Sequence, residues 1–173
     1  MADIRVVYTR EQIAEKVKEL GKQISREYSG RELTVIGILN SSFVFLADLI
    51  RELEIPVSCY FVRVVKETGA GNRHNLTEIH FLSDTKLEGR DVLLVGTVID
   101  TGITQDYLLR QMELQAPASL KSCFLLDKIQ KRKVEFRCDY VGFTVPDQFL
   151  VGYGLDTEGR FRNLPFLGEK EAV

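Results

Sequence analysis

DVLLVGTVIDTGIT, residues Asp91 to Thr104, sets an apolar run from Val92 to Val95 before a small-residue junction and then Asp100-Thr101-Gly102-Ile103-Thr104. A helix-like pattern follows. A buried strand that stops in a Gly- and Thr-rich turn and opens a helix leaves free backbone N–H groups at the helix N-terminus, a geometry that suits a phosphate. An ordinary β–α turn, with Gly102 present for positive φ and Thr104 as a cap, accounts for the same residues. On this stretch alone both readings stand.

Working outward, strands and helices alternate on both sides. Thr9-Arg10-Glu11-Gln12 is a capping-box pattern followed by Ile13, Val17, Leu20 and Ile24 at helical spacing, and this helix is expected to end near Tyr28-Ser29-Gly30. Leu33 to Leu39 is apolar on both faces and reads as a buried strand. Asn40-Ser41-Ser42 breaks it, and Phe43 to Leu53 resumes a helical pattern. Val57 to Val65 is strand-like, the polar stretch from Lys66 to Asn75 reads as a mobile loop, and Leu76 to Leu82 as a strand closing it. After the opening stretch come a helix from Gln105 to Leu114, a strand from Leu120 to Leu126, the basic run Lys128 to Lys133, and strand-like Tyr140 to Val145 and Phe149 to Leu155. Such alternation predicts an α/β domain with a mostly parallel sheet flanked by helices and ligands at the carboxyl ends of the strands. Asn40-Ser41, the 66–75 loop, Asp100 to Thr104 and Lys128 all follow strands, and are expected to share one crevice.

At 173 residues, 45% hydrophobic and 28% charged, the chain is expected to form a single soluble domain over residues 1–173. A net charge of −2 gives no footprint for nucleic acid. Cys59, Cys123 and Cys138 are too few for a disulfide framework, and no uncharged apolar stretch approaches membrane-spanning length. A cytoplasmic location is the expectation.

Several motifs then converge. Asp100 to Thr104 after an apolar strand resembles the phosphoribosyl-diphosphate signature of type I phosphoribosyltransferases. Leu39-Asn40-Ser41-Ser42-Phe43, Leu126-Asp127-Lys128, Val141-Gly142-Phe143, Pro146-Asp147-Gln148-Phe149, Val151 to Asp156 and Phe161-Arg162-Asn163-Leu164-Pro165 resemble, in order, segments of the hypoxanthine-guanine (6-oxopurine) branch. The resemblance implies the type I phosphoribosyltransferase fold with a small hood from the chain ends. It implies transfer of phosphoribose from 5-phosphoribosyl 1-diphosphate to hypoxanthine or guanine, giving IMP or GMP, with Mg²⁺ as cofactor. A homodimer or homotetramer is implied by analogy.

The resemblance also implies residue roles. Asp100, Thr101, Gly102, Ile103 and Thr104 would cradle the 5′-phosphate, with Asp100 also the acid/base at purine N7. Lys128 would donate to the 6-oxo group, Phe149 would stack on the base and the Leu150 backbone would meet its edge. Asn40, Ser41 and Arg162 would face diphosphate, and Asp156 would be a Mg²⁺ ligand. Residue types alone offer plainer accounts: a solvated lysine at 128, a core aromatic at 149, a surface arginine at 162. Arg132 reads as part of a solvated face, with a place near the closed site as the alternative that the resemblance offers.

The chain departs from the family at three places. Gly96-Thr97 stands where the family has a Glu-Asp pair that holds the ribose hydroxyls, Asn40-Ser41 where it has Lys-Gly beside a cis peptide, and Lys66-Glu67 where it has Ser-Tyr in the loop. Whether the Asn40–Ser41 peptide is cis is left open. Each lost hydrogen bond to a charged group is worth about 1.5–3 kcal/mol. Losing two in the transition state slows turnover roughly a hundred- to ten-thousandfold. Weakened turnover is therefore expected, with a non-catalytic nucleotide-binding relative as the alternative. Gly96→Glu with Thr97→Asp is expected to raise activity if the lost pair is what limits turnover.

Overall fold

A short strand, β1 (Ile4–Tyr8), precedes helix α1 (Arg10–Glu27) in the computed structural model, which describes residues 4–67, 76–81 and 85–170. The capping box at the start of α1 is formed: Gln12 N donates to Thr9 Oγ1 at 3.3 Å and Thr9 N to Gln12 Oε1 at 2.9 Å. The apolar stripe Ile13, Val17, Leu20 and Ile24 is buried. After β2 (Leu33–Leu39) comes α2 (Phe43–Arg51), then β3 (Val57–Glu67), β4 (Leu76–Phe81) and β5 (Asp91–Ile99). The expected loop at 66–75 begins inside β3, whose last residues are Lys66 and Glu67, and its remainder lies outside the described residues. Helix α3 (Ile103–Glu113), β6 (Ser119–Asp127), a 3-10 turn at Ile129–Lys131, β7 (Tyr140–Thr144), β8 (Leu150–Val151) and β9 (Leu167–Lys170) complete the order.

Six strands make the main sheet in the order β4-β3-β2-β5-β6-β7, parallel except for the antiparallel β3–β4 pair. The near-continuous apolar run of β5 follows from its central place, because both of its faces are covered. Leu93 and Val95 join the core under α1 and α2, whereas Val92 and Leu94 pack with Leu108 and Met112 of α3. β2 leads on to β3 on one side and β5 to β6 on the other. The strand order therefore reverses between β2 and β5, and a crevice opens at their carboxyl ends.

The chain ends form the expected hood, a three-stranded antiparallel sheet in the order β1-β9-β8. β1 was not legible in the sequence, since it is short, half exposed and paired with Lys170 and Glu169 at the far end of the chain. The strand expected from Phe149 to Leu155 is cut to Leu150–Val151. Gly152, Tyr153 and Gly154 all have positive φ (95°, 46° and 94°), which no strand accommodates. The cis peptide in the turn after β2 is Leu39–Asn40, one bond before the position the sequence left open.

Candidate active site

Gly102, with φ 82°, is the N-cap of α3 and turns the chain from β5 into the helix. The first-turn N–H groups of α3 have no intrahelical partner by helix geometry and sit at the positive end of its dipole. Thr101 Oγ1 accepts from Ile103 N at 3.4 Å, and Thr104 lies inside the helix, so it is not the cap. The turn is braced from behind. Lys133 N donates to Thr101 O at 2.9 Å and Arg132 Nη1 to Asp100 O at 3.3 Å. A Cβ at Gly102 would stand 2.9 Å from Arg132 Cδ.

Arg132 is therefore no solvated side chain. Its guanidinium pairs with the buried Asp127 carboxylate, and only 15% of the side chain is exposed. Burial forces this pairing, because an unpaired guanidinium inside would cost several kcal/mol.

In front of the turn lies a cleft of about 400 Å³ between the ends of β2 and β5, bounded by Ser41, Asp100, Thr101 and Thr104. Its floor carries Gly96 and Thr97. The ring of Phe124, paired across from Gly96 in β6, fills the volume a side chain at 96 would take: an ideal Cβ there falls 2.2 Å from Phe124 Cε1. Phe124 meets Phe136 edge-on, with ring centroids 6.5 Å apart. Thr97 is buried, and its Oγ1 has no hydrogen-bond partner among the described residues. Phe124 escaped the sequence reading. The available signal was a glycine inside an otherwise bulky buried strand, which marks a close approach.

At the other rim, Lys128 is buried, and its Nζ lies 3.1 Å from Asp100 Oδ1 and 3.7 Å from Asp147 Oδ1. This excludes a solvated lysine. Lys131 Nζ stands 2.8 Å from Asp147 Oδ1, and that hydrogen bond is the main reason the Asp147 carboxyl sits below its ordinary range. Phe149 is 54% exposed and so is not a core aromatic, while Leu150, next to it on β8, is buried. The structure thus brings Asp100 against both the α3 turn and Lys128.

Asn40 and Ser41 follow β2, and Ser41 reaches the cleft. Ser42 Oγ donates to Ile38 O at 2.6 Å and ties this turn down. Gly154 presses on it: a Cβ there would lie 2.2 Å from Ser41 O. Arg162 is not among the residues that bound this cleft. Its Nη1 donates to Gly154 O at 2.7 Å, its Nη2 pairs with Asp156 Oδ1 at 2.7 Å, and it borders a separate groove of about 800 Å³ with α1 and α2. Paired in this way, it is not a free surface arginine.

Asp156 Oδ2 also accepts from Gly159 N at 2.7 Å. Each carboxylate oxygen has one protein partner and a lone pair to spare. Among the described residues no group of three or more acidic, His or Cys side chains could hold a metal ion. This donor set fits an ion that arrives on phosphate oxygens with one protein carboxylate as anchor, the usual habit of Mg²⁺.

Comparison with known proteins agrees with this geometry. The family described as "Phosphoribosyl transferase domain" matches residues 6–158. The chain is 41% identical over 164 residues to the hypoxanthine-guanine phosphoribosyltransferase of Lactococcus lactis, covering 95% of this chain and 89% of that one. It is 42% identical over 164 residues to the Aquifex aeolicus protein of the same name, covering 94% and 92%. Among solved structures, a Bacillus anthracis hypoxanthine-guanine phosphoribosyltransferase superposes with a TM-score of 0.89 at 38% identity, covering 98% of this chain and 99% of that one. A lysine-to-arginine mutant of a Trypanosoma cruzi hypoxanthine phosphoribosyltransferase, solved as a ternary substrates complex, superposes with a TM-score of 0.90 at 34% identity, covering 98% and 96%. A glycine-turned helix N-terminus at a sheet switch point, an aspartate beside it and a buried lysine at the rim all occur in a chain matched along nearly its full length: it belongs to the phosphoribosyltransferase family, alongside the hypoxanthine-guanine enzymes.

Proposed function

We propose that this chain is a purine-salvage transferase that moves phosphoribose from 5-phosphoribosyl 1-diphosphate to hypoxanthine or guanine, giving IMP or GMP and diphosphate. The observation that carries it is the contact of Asp100 with Lys128, which sets a proton acceptor between a phosphate cradle and a donor for a 6-oxo group. N9 of the base attacks C1′ of the sugar and the C1′–diphosphate bond breaks. The base proton passes from N7 to Asp100. The N–H groups of Thr101 to Thr104 hold the 5′-phosphate, Lys128 donates to O6, and Phe149 offers a half-exposed ring against which a purine stacks. The backbone of Leu150 meets the base edge, and Asn40 and Ser41 face the diphosphate. Mg²⁺ bound with diphosphate and anchored by Asp156 would neutralise the leaving charge. Arg162 acts through Asp156, which it holds in place.

The floor at Gly96, Thr97 and Phe124 offers the sugar hydroxyls no carboxylate, and turnover is accordingly slower than in a carboxylate-bearing relative. The reaction is expected in the cytoplasm; among the described residues no helix is long and apolar enough to cross a membrane. Self-association as a dimer or tetramer is part of the same reading.

A Mg²⁺-dependent assay with hypoxanthine, guanine, xanthine and adenine tests the proposal. Product with the 6-oxopurines and none with adenine supports it. No product with any base, together with calorimetric IMP binding, would instead establish a nucleotide-binding relative without turnover.

A further inference from the structure

The buried Lys128 ammonium has two carboxylates around it. Asp100 Oδ1 is 3.1 Å away and Asp147 Oδ1 3.7 Å, and Lys131 Nζ reaches that same Asp147 oxygen at 2.8 Å. The four groups come from different places: Asp100 from the end of β5, Lys128 and Lys131 from the turn after β6, Asp147 from the segment between β7 and β8. Asp147 lies two residues before Phe149, in a turn closed by Gln148 N donating to Pro146 O at 2.9 Å. An ammonium on a four-carbon stem carries three donors and turns freely about a single contact. Neither contact has hydrogen-bond geometry, Asp100 Oδ1 having no hydrogen-bond partner and Asp147 Oδ1 lying beyond that range, so the two carboxylates act on the ammonium by charge, from separate elements, and together bias where it sits.

We propose that Asp147 is a positioning residue for purine selection: it keeps Lys128 from settling wholly on Asp100, so that one ammonium N–H stays directed at the 6-oxo group and Asp100 stays available for the base proton. This rests on the transferase reading above and deepens it. Lys131 holds the Asp147 carboxylate in place while the ammonium is shared. Without Asp147, Asp100 is the only one of the two carboxylates left. Each incoming base must then draw Lys128 away from it, which weakens base binding and leaves the phosphate end untouched.

Steady-state kinetics and calorimetric IMP binding on Asp147→Asn, Asp147→Glu and Lys128→Met test this. For Asp147→Asn the KM for hypoxanthine rises about tenfold and IMP affinity falls in parallel, with kcat and the KM for the diphosphate substrate each changing less than about threefold. Asp147→Glu restores the base KM to within about threefold of the parent. An unchanged base KM and IMP affinity in Asp147→Asn, with both weakened in Lys128→Met, overturns the positioning role and leaves the transferase reading intact. A fall in melting temperature with every kinetic constant worsened together, unrescued by Glu, overturns it in favour of a structural role. If Lys128→Met changes neither constant, the purine-pocket reading fails and takes this proposal with it.

Discussion

Gly96 lies under the ring of Phe124, so close that a Cβ at position 96 would fall 2.2 Å from Cε1. Phe124 is 1% exposed, and its ring borders the cleft on the side where the sugar would lie, so yielding to a side chain at 96 would push it into that space. The expectation from sequence, that Glu at 96 with Asp at 97 raises activity, therefore changes. The Gly96→Glu, Thr97→Asp double variant is overpacked by about 1–3 kcal/mol and gains no turnover. Adding Phe124→Ala vacates the ring volume, and that triple variant exceeds the parent in rate at saturating Mg²⁺. Rate assays beside urea denaturation of the three proteins decide the matter. A double variant that is faster and fully stable would show that the ring yields.

Gly154 combines a φ of 94° with a Cβ position 2.2 Å from Ser41 O. Gly154→Ala cannot keep both the backbone angle and the contact, and strain of this kind costs about 1–3 kcal/mol. The expected result is a lower denaturation midpoint together with a raised KM for the diphosphate substrate, because Ser41 is displaced. If the midpoint falls while that KM stays put, Ser41 does not face the diphosphate.

Arg132 and Asp127 form a buried ion pair, with side chains 15% and 8% exposed. Breaking such a pair from one side costs about 3–5 kcal/mol, whereas replacing both partners with apolar groups costs far less. Arg132→Leu and Asp127→Leu are each expected to be strongly destabilised, and the double variant less so than either. Arg132→Leu additionally loosens the α3 turn through the lost donor to Asp100 O, read as weaker IMP binding. Simple additivity in the double-mutant cycle would argue against the pairing.

Glu27 accepts from Lys121 and from the Tyr140 hydroxyl, and these bonds hold its carboxyl below the ordinary glutamate range. The unfolded chain thus takes up this proton at higher pH than the folded one. The resulting stability is present above the unfolded value of about 4.3 and drains away as pH falls through the folded one. Melting temperatures of the parent should fall below about pH 4.3, and Glu27→Gln should show a shallower acid dependence with a lower midpoint at neutral pH. Parallel acid profiles for the two proteins would remove Glu27 from the account.

Local signals carried most of the architecture. The Thr9–Gln12 capping box, the two-faced apolar runs of β2 and β5 and the positive φ at Gly102 all act over a few residues, and each was legible. What escaped depends on partners distant in sequence. β1 exists because β9 does, and no local pattern announces it. Arg132 sits in a run of lysines and reads as solvated until Asp127 and the α3 turn are seen beside it. The loss at Gly96 was legible as a missing carboxylate, but its replacement by the Phe124 ring was not, because that ring comes from the neighbouring strand. Asp147 lay within a recognised motif and gained a role only through the distance to Lys128.

The hood has a consequence for the order of assembly. Ile4 pairs with Lys170 and Leu150 with Glu169, so β9 is the strand that joins both ends of the chain. Closing so long a loop carries a large entropic cost, and contacts of this range form late. The phosphate turn, by contrast, depends on β5 and α3, which adjoin in sequence and pack on β2 and β6. During synthesis the cradle is complete while the purine edge at Phe149 and Leu150 still lacks its backing strand. If Thr101 to Thr104 hold the phosphate and Phe149 and Leu150 meet the base, as proposed, a nascent chain binds phosphate before it recognises a base.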